Sequence, residues 1–112
     1  VIGDILVTGT GVNNCCSTAP LCVCHNEDDA IANFKAGEIL VIPSTSNNIL
    51  NLLKTASGIV TESDGANSHA SIVGLTLDIP VIVGAAQATQ ILRTGTVAKI
   101  DAMHGTVSTA QA

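Results

Sequence analysis

Short, unbroken aliphatic runs limit this chain more than any other feature. Glu38-Ile39-Leu40-Val41-Ile42, Gly58-Ile59-Val60-Thr61 and Pro80-Val81-Ile82-Val83 are bounded by Gly, Pro or polar residues. They are too short for core helices and lack polar alternation, which predicts strands covered on both faces. Leu21 to His25, Val97 to Ile100 and Val107 to Thr109 read as further strands, the last two joined around Gly105. Segments with helical spacing lie between. One starts at Asn26, carries Glu27-Asp28-Asp29 as a solvated acidic first turn, and places Ala30, Ile31 and Phe34 on one face up to Gly37. Others hold Ile49 to Leu53 after the Ser44 to Ser46 caps, Ser68 to Leu77, and Ala85 to Leu92. This β-α-β-α-β-α-β order predicts an α/β domain with an at least partly parallel sheet.

Composition sharpens the picture. Phe34 is the one aromatic residue among 112, so the core must be built from Val, Ile, Leu and Ala. The same lack excludes base stacking. Nine acidic residues against four basic leave a net charge of −5, which argues against nucleic acid and anionic membrane surfaces as partners. No apolar run is long enough to span a bilayer. The amino end has neither the basic region nor the apolar stretch of a secretory leader, which points to the cytoplasm. The chain begins at Val1 and its one methionine is Met103, so it reads as a piece of a longer protein. Residues 1–19 are expected to form a linker or lead-in arm from a preceding domain, with a possible strand at Asp4 to Thr8, and residues 20–112 the domain itself.

Four cysteines admit three readings. A disulfide framework suits secreted chains better than this one. A zinc site from Cys22, Cys24 and His25 conflicts with the C-x-C spacing, since structural zinc favours two to four residues between thiols. In a strand, Cys22 and Cys24 share one face, as small core residues do. No metal site is therefore expected. His25 reads as a polar residue at a strand end, and His104, Asp101 and Asp78 as turn residues.

The segment Thr61-Glu62-Ser63-Asp64-Gly65-Ala66-Asn67-Ser68-His69-Ala70-Ser71-Ile72-Val73 joins a predicted strand to a predicted helix. His69 falls in the first helical turn, where free backbone N–H groups and the dipole favour an anion. The same field lowers an imidazole pKa and keeps the ring nucleophilic. Asn67, Ser68 and Ser71 would donate hydrogen bonds to the bound anion, and His69 would accept a phosphoryl group.

Ser68-His69-Ala70-Ser71-Ile72-Val73, followed by Gly74 to Gly84 with its Ile79-Pro80-Val81-Ile82-Val83-Gly84 run, resembles the phosphohistidine domain of enzymes that use phosphoenolpyruvate. That resemblance implies a swivelling β/β/α unit whose His carries phosphate between two remote sites. Val1 to Leu6 with Gly9-Thr10-Gly11, Glu38 to Val41 and Ala56 to Glu62 look like the carboxy-terminal extension that carries this domain in some bacterial pyruvate kinases. On that resemblance the domain is structural or regulatory and not itself catalytic. Its parent would be a cytoplasmic homotetramer moving phosphoryl from phosphoenolpyruvate to ADP. Mg²⁺ and K⁺ would be held elsewhere, and no cofactor in this domain. The alternative is a true carrier with His69 as acceptor. A third reading is anion sensing without covalent chemistry. The sequence departs from the carriers at Asn67, where they have Thr, and at Ala66, where they have Gly. Glu62 and Asp64 also stand where a basic residue is common. At about 6 Å and an effective dielectric of ~20, each carboxylate facing a phosphoryl charge would cost roughly 3 kcal/mol.

Overall fold

The computed structural model describes residues 5–45, 49–62 and 69–109. Twelve elements follow in order among them. These are β1 (Ile5–Thr8), β2 (Thr10–Gly11), β3 (Cys16–Val23), α1 (Glu27–Asn33), β4 (Ile39–Ile42), α2 (Leu50–Leu53), β5 (Gly58–Thr61), α3 (His69–Leu77), β6 (Val81–Val83), α4 (Ala88–Ile91), β7 (Val97–Asp101) and β8 (Thr106–Thr109).

All four residues of β4 are buried, as are all four of β5 and all three of β6. A strand's side chains alternate between faces, so such burial requires a core on each side. Leu40, Ile42, Ile59, Val81 and Val83 face one core together with Ala30 and Phe34 at α1, Ile49 and Leu53 at α2, and Val73 of α3. Ile39, Val41, Val60 and Ile82 face the other, with Val7, Leu21, Ala98, Ile100 and Val107 from the remaining strands and Ala88 and Leu92 at α4. The chain is thus a three-layer β/β/α domain. Its inner core contains no aromatic residue, so it is filled by branched aliphatics that interlock at close range.

The parallel part runs β3-β4-β5-β6. The antiparallel part runs β3-β7-β8-β1. β3 belongs to both, pairing Cys16 to Pro20 with β7 and Leu21 to Val23 with β4. In the antiparallel layer only one face is covered, and β7 alternates exposed Val97 and Lys99 with buried Ala98 and Ile100. The full strand order is β1-β8-β7-β3-β4-β5-β6-β2. Its two ends, β1 and β2, are joined in the chain by Gly9 alone, so the sheet bends round and nearly closes on itself. The stretch expected as a lead-in arm therefore supplies β1, β2 and the first half of β3.

Local signals hold at several places. Asn26 caps α1, its Oδ1 accepting from the Asp29 N–H at 2.8 Å, while Asp29 Oδ2 accepts from the His25 N–H at 3.1 Å. The Asp29 carboxylate thus reaches back one residue beyond the cap, past the N–H that a capping box would use. His104 lies in the β7–β8 turn, and its Nδ1 is 2.8 Å from Asp101 Oδ2, a contact that holds the Asp101 carboxyl below its ordinary range. Other expectations fall short. α1 ends at Asn33, with Phe34 extended at its cap, so the helix is two turns long. Ala30 and Phe34 turn inward, and Ile31, one position round the helix, is left exposed. α4 is also shorter than the expected Ala85 to Leu92.

Closure depends on small residues. A Cβ on Gly11 would overlap the Ala102 carbonyl, and one on Gly9 would lie 2.6 Å from the Val83 oxygen. The Gly9 N–H donates to the Gly105 carbonyl at 2.8 Å, and Gly105 sits at φ +67. Gly11→Ala is expected to destabilise the chain by about 3 kcal/mol, the upper range for overpacking. Gly95→Ala, at φ +90 with open space around it, should cost only about 1 kcal/mol. Urea titrations of both variants check the difference, and equal losses would refute closure by close backbone approach.

Candidate functional site

The parallel strands end along one edge, and that is where ligands gather in open α/β sheets. Four connections leave this edge: residues 24–26 after β3, 43–49 after β4, 62–68 after β5 and 84–87 after β6. His25, Asn26, Ser44 and Thr45 line a cleft of ≈ 290 Å³ at the ends of β3 and β4. The next connection along the edge leads into α3, whose first residue is His69.

α3 is held at a fixed height on the sheet. Gly74 presses against Val81 of β6 so closely that any Cβ would overlap the valine side chain. Val73 is buried beside it. The helix stops at Asp78, which takes a left-handed φ of 60, and the Ile79 N–H returns to the Gly74 carbonyl at 3.2 Å. Nine residues then place His69 and Ser71 in the first turn, at the sheet's carboxyl edge. Asn67 and Ser68 lie outside the described residues, and so do the side chains of His69 and Ser71. The outer face of α3 exposes two large apolar residues, Ile72 at 58% and Leu75 at 57%.

The other side of the connection is anchored as well. The Ala85 N–H donates to the Thr61 carbonyl at 3.0 Å. Glu62 Oε2 accepts from the Thr89 N–H at 3.0 Å and from the Thr89 hydroxyl at 2.8 Å. Thr89 is buried. α4 lacks a cap of its own, since Gln87 is left-handed and makes no capping bond. The Glu62 carboxylate fills that role from another segment, and two donors on one oxygen hold its charge at α4. Sequence reasoning set Glu62 against an incoming phosphate and attached no role to Thr89. A threonine in a short helix carries no local signal of such a partner. Asp64 lies outside the described residues.

The cysteines divide into two pairs. Cys22 and Cys24 lie in the core beneath the helices, with their sulfurs 3.6 Å apart. Burial pushes both thiols up, Cys24 to about 12. Cys15 donates weakly to Asp78 Oδ1 at 3.5 Å, and partial burial and that carboxylate raise its pKa. Cys16 is exposed on β3. No group of three His, Cys, Asp or Glu side chains converges among the described residues. No helix among them is long and apolar enough to cross a membrane.

Residues 34–105 match the family described as PEP-utilising enzyme, mobile domain. The chain is 41% identical over 107 residues to pyruvate kinase 2 of Synechocystis, covering 96% of this chain and 18% of that protein. It is 43% identical over 74 residues to a probable phosphoenolpyruvate synthase of Staphylothermus marinus, covering 66% of this chain and 9% of that protein. In structure it is similar to an Enzyme I protein solved by NMR, with a TM-score of 0.60, 19% identity, and coverage of 73% of this chain and 34% of the other.

Thiol burial gives a direct check on this architecture. With iodoacetamide at mildly alkaline pH, Cys16 is expected to alkylate first and Cys15 more slowly, while Cys22 and Cys24 resist until denaturant is added. Peptide mass mapping over time reads the order. Alkylation of Cys24 as fast as Cys16 in the folded chain would contradict the two-core packing.

Proposed function

This chain belongs to the family of PEP-utilising enzyme mobile domains, and on that premise we propose that it is the mobile β/β/α domain of a pyruvate kinase, with a structural or regulatory role in the parent. The parent transfers phosphoryl from phosphoenolpyruvate to ADP in the cytoplasm, as a homotetramer, using Mg²⁺ and K⁺ bound outside this domain. The chain spans under a fifth of the pyruvate kinases it matches, and in this reading the chemistry of that reaction belongs to other parts of the protein. Neither nucleic acid nor a membrane enters this reading, in keeping with the net charge of −5.

The observation that carries the proposal is the outer face of α3. Ile72 and Leu75 stand one turn apart and are each more than half exposed. Adjacent large apolar residues left exposed on a helix mark a face for a partner. Docking of this face on the rest of the parent supplies the missing cover and explains a role without chemistry.

A second reading has an observation of its own. A carrier needs a site free of opposing charge, and Glu62 is bound to Thr89 at α4. Held there, it opposes a phosphoryl group on His69 less than a free carboxylate would. In this reading the His69 ring accepts phosphoryl, with Asn67, Ser68 and Ser71 donating to its oxygens.

Two variants of the parent enzyme separate these readings. His69→Ala is expected to leave kcat within about twofold, because in the non-catalytic role the ring takes no part in the transition state. Ile72→Asp with Leu75→Asp is expected to shift subunit assembly or effector response, while the isolated domain still folds. A hundredfold loss of kcat in His69→Ala, together with acid-labile, base-stable phosphate on the wild-type enzyme, would overturn the non-catalytic role in favour of the carrier.

A further inference from the structure

Cys22 and Cys24 are buried nucleophilic groups that neither docking nor phosphoryl transfer uses. Cys22 is 1% exposed and Cys24 is fully buried. Residues two apart on a strand share a face, so both thiols look from the end of β3 into the core that holds Ala30, Phe34, Leu40 and Ile42. Their sulfurs stand 3.6 Å apart. Cys24 Sγ also reaches the Cys22 carbonyl at 3.9 Å. The backbone here is fixed by β4: Val23 pairs with Val41, and the Cys24 N–H donates to the Val41 carbonyl at 2.8 Å.

That extended backbone decides what the two thiols can do together. A disulfide needs Cβ atoms about 3.5–4.5 Å apart. Positions i and i+2 of a strand lie about 6.6 Å apart, so a bridge would pull Cys24 off β4. A metal ion between the sulfurs needs no such movement. With metal–sulfur bonds of about 2.3 Å, linear coordination sets the sulfurs about 4.6 Å apart, and turning the two side chains opens the present 3.6 Å to that span. Structural zinc asks for four donors, and no third His, Cys, Asp or Glu side chain converges with this pair among the described residues. Two thiolates in an apolar shell suit a soft ion of low coordination number, and among first-row metals that is copper(I). Cys24 is followed by His25, which lines the open cleft at the ends of β3 and β4. An entry path therefore lies one residue away.

We propose that Cys22 and Cys24 form a two-sulfur site for copper(I) at the end of β3. As the ion enters, each thiol releases its proton to solvent and each sulfur gives an electron pair to the metal. Copper stays in the +1 state, and nothing is oxidised or reduced. The bound ion clips Cys24, and with it the start of the β3–α1 connection, to the strand.

The test uses the 112-residue chain carrying Cys15→Ser and Cys16→Ser, which removes the two thiols outside the core. Copper(I) is supplied as its bicinchoninate complex without oxygen, so that only a site tighter than the chelator takes it. This background chain is expected to take up one copper(I), with two sulfur neighbours in X-ray absorption and unchanged far-ultraviolet circular dichroism. Its Tm should rise as copper is added, because the ion binds the folded state. Cys22→Ala and Cys24→Ala, each in the same background, should lower the affinity by roughly a hundredfold or more, since a single thiolate is left.

Failure of the background chain to take copper from the chelator would overturn the proposal, and so would equal uptake by Cys24→Ala. Uptake that comes with loss of the native dichroism marks capture by the unfolded chain and overturns it as well. Should the alanine variants fail to fold, coordination in the folded background chain decides. Two sulfur neighbours support the site, and nitrogen or oxygen neighbours in their place refute it.

Discussion

The structure depends on one close approach of backbone to backbone. Eight strands stand in a row whose two ends are consecutive in the chain, with Gly9 between them. For β1 to pair with β8 and β2 with β6, the chain must pass between the β6 end and the β7–β8 turn. A Cβ at Gly9, Gly11 or Gly105 on this path would overlap backbone, Gly11 against the Ala102 carbonyl and Gly105 against the Gly9 carbonyl. A sheet that nearly closes has few free edges, and its inner face can be filled from almost every strand. The inner core of Val, Ile, Leu and Ala follows from that closure.

Closure also gives the parallel strands their second covered face. β4, β5 and β6 are backed by the antiparallel layer on one side and by α1, α2 and α3 on the other. Their carboxyl ends then lie along one rim. The connections along it differ in how they are tied: α1 by its own cap, α3 by Gly74 on β6, and the start of the β5–α3 connection by Glu62 on α4. The cleft beside His25 and Ser44 belongs to the same rim.

The two features of α3 pull in different directions. Its first turn carries His69, and its outer face leaves Ile72 and Leu75 exposed. The Glu62 carboxylate, at the start of the connection that leads to α3, is held at α4 by Thr89.

Much of this was legible in the residues. The aliphatic runs named β4, β5 and β6, because burial on both faces removes alternation. Asn26 with Asp29 marked the start of α1, and the C-x-C spacing put Cys22 and Cys24 on one face. The Ser68-His69 pair announced the start of α3 and, with the run to Gly84, the family. Each of these rests on interactions within a few residues or on a repeat set by the backbone. The role of residues 9–19 was not legible, since Gly9-Thr10-Gly11 reads as a break until Ala102 and Val83 are brought beside it. The partner of Glu62 was equally hidden. A carboxylate next to a phosphate-like site and a carboxylate capping a distant helix look the same in sequence. Which one it is depends on the segments the closed sheet brings together, and that is decided by long-range packing.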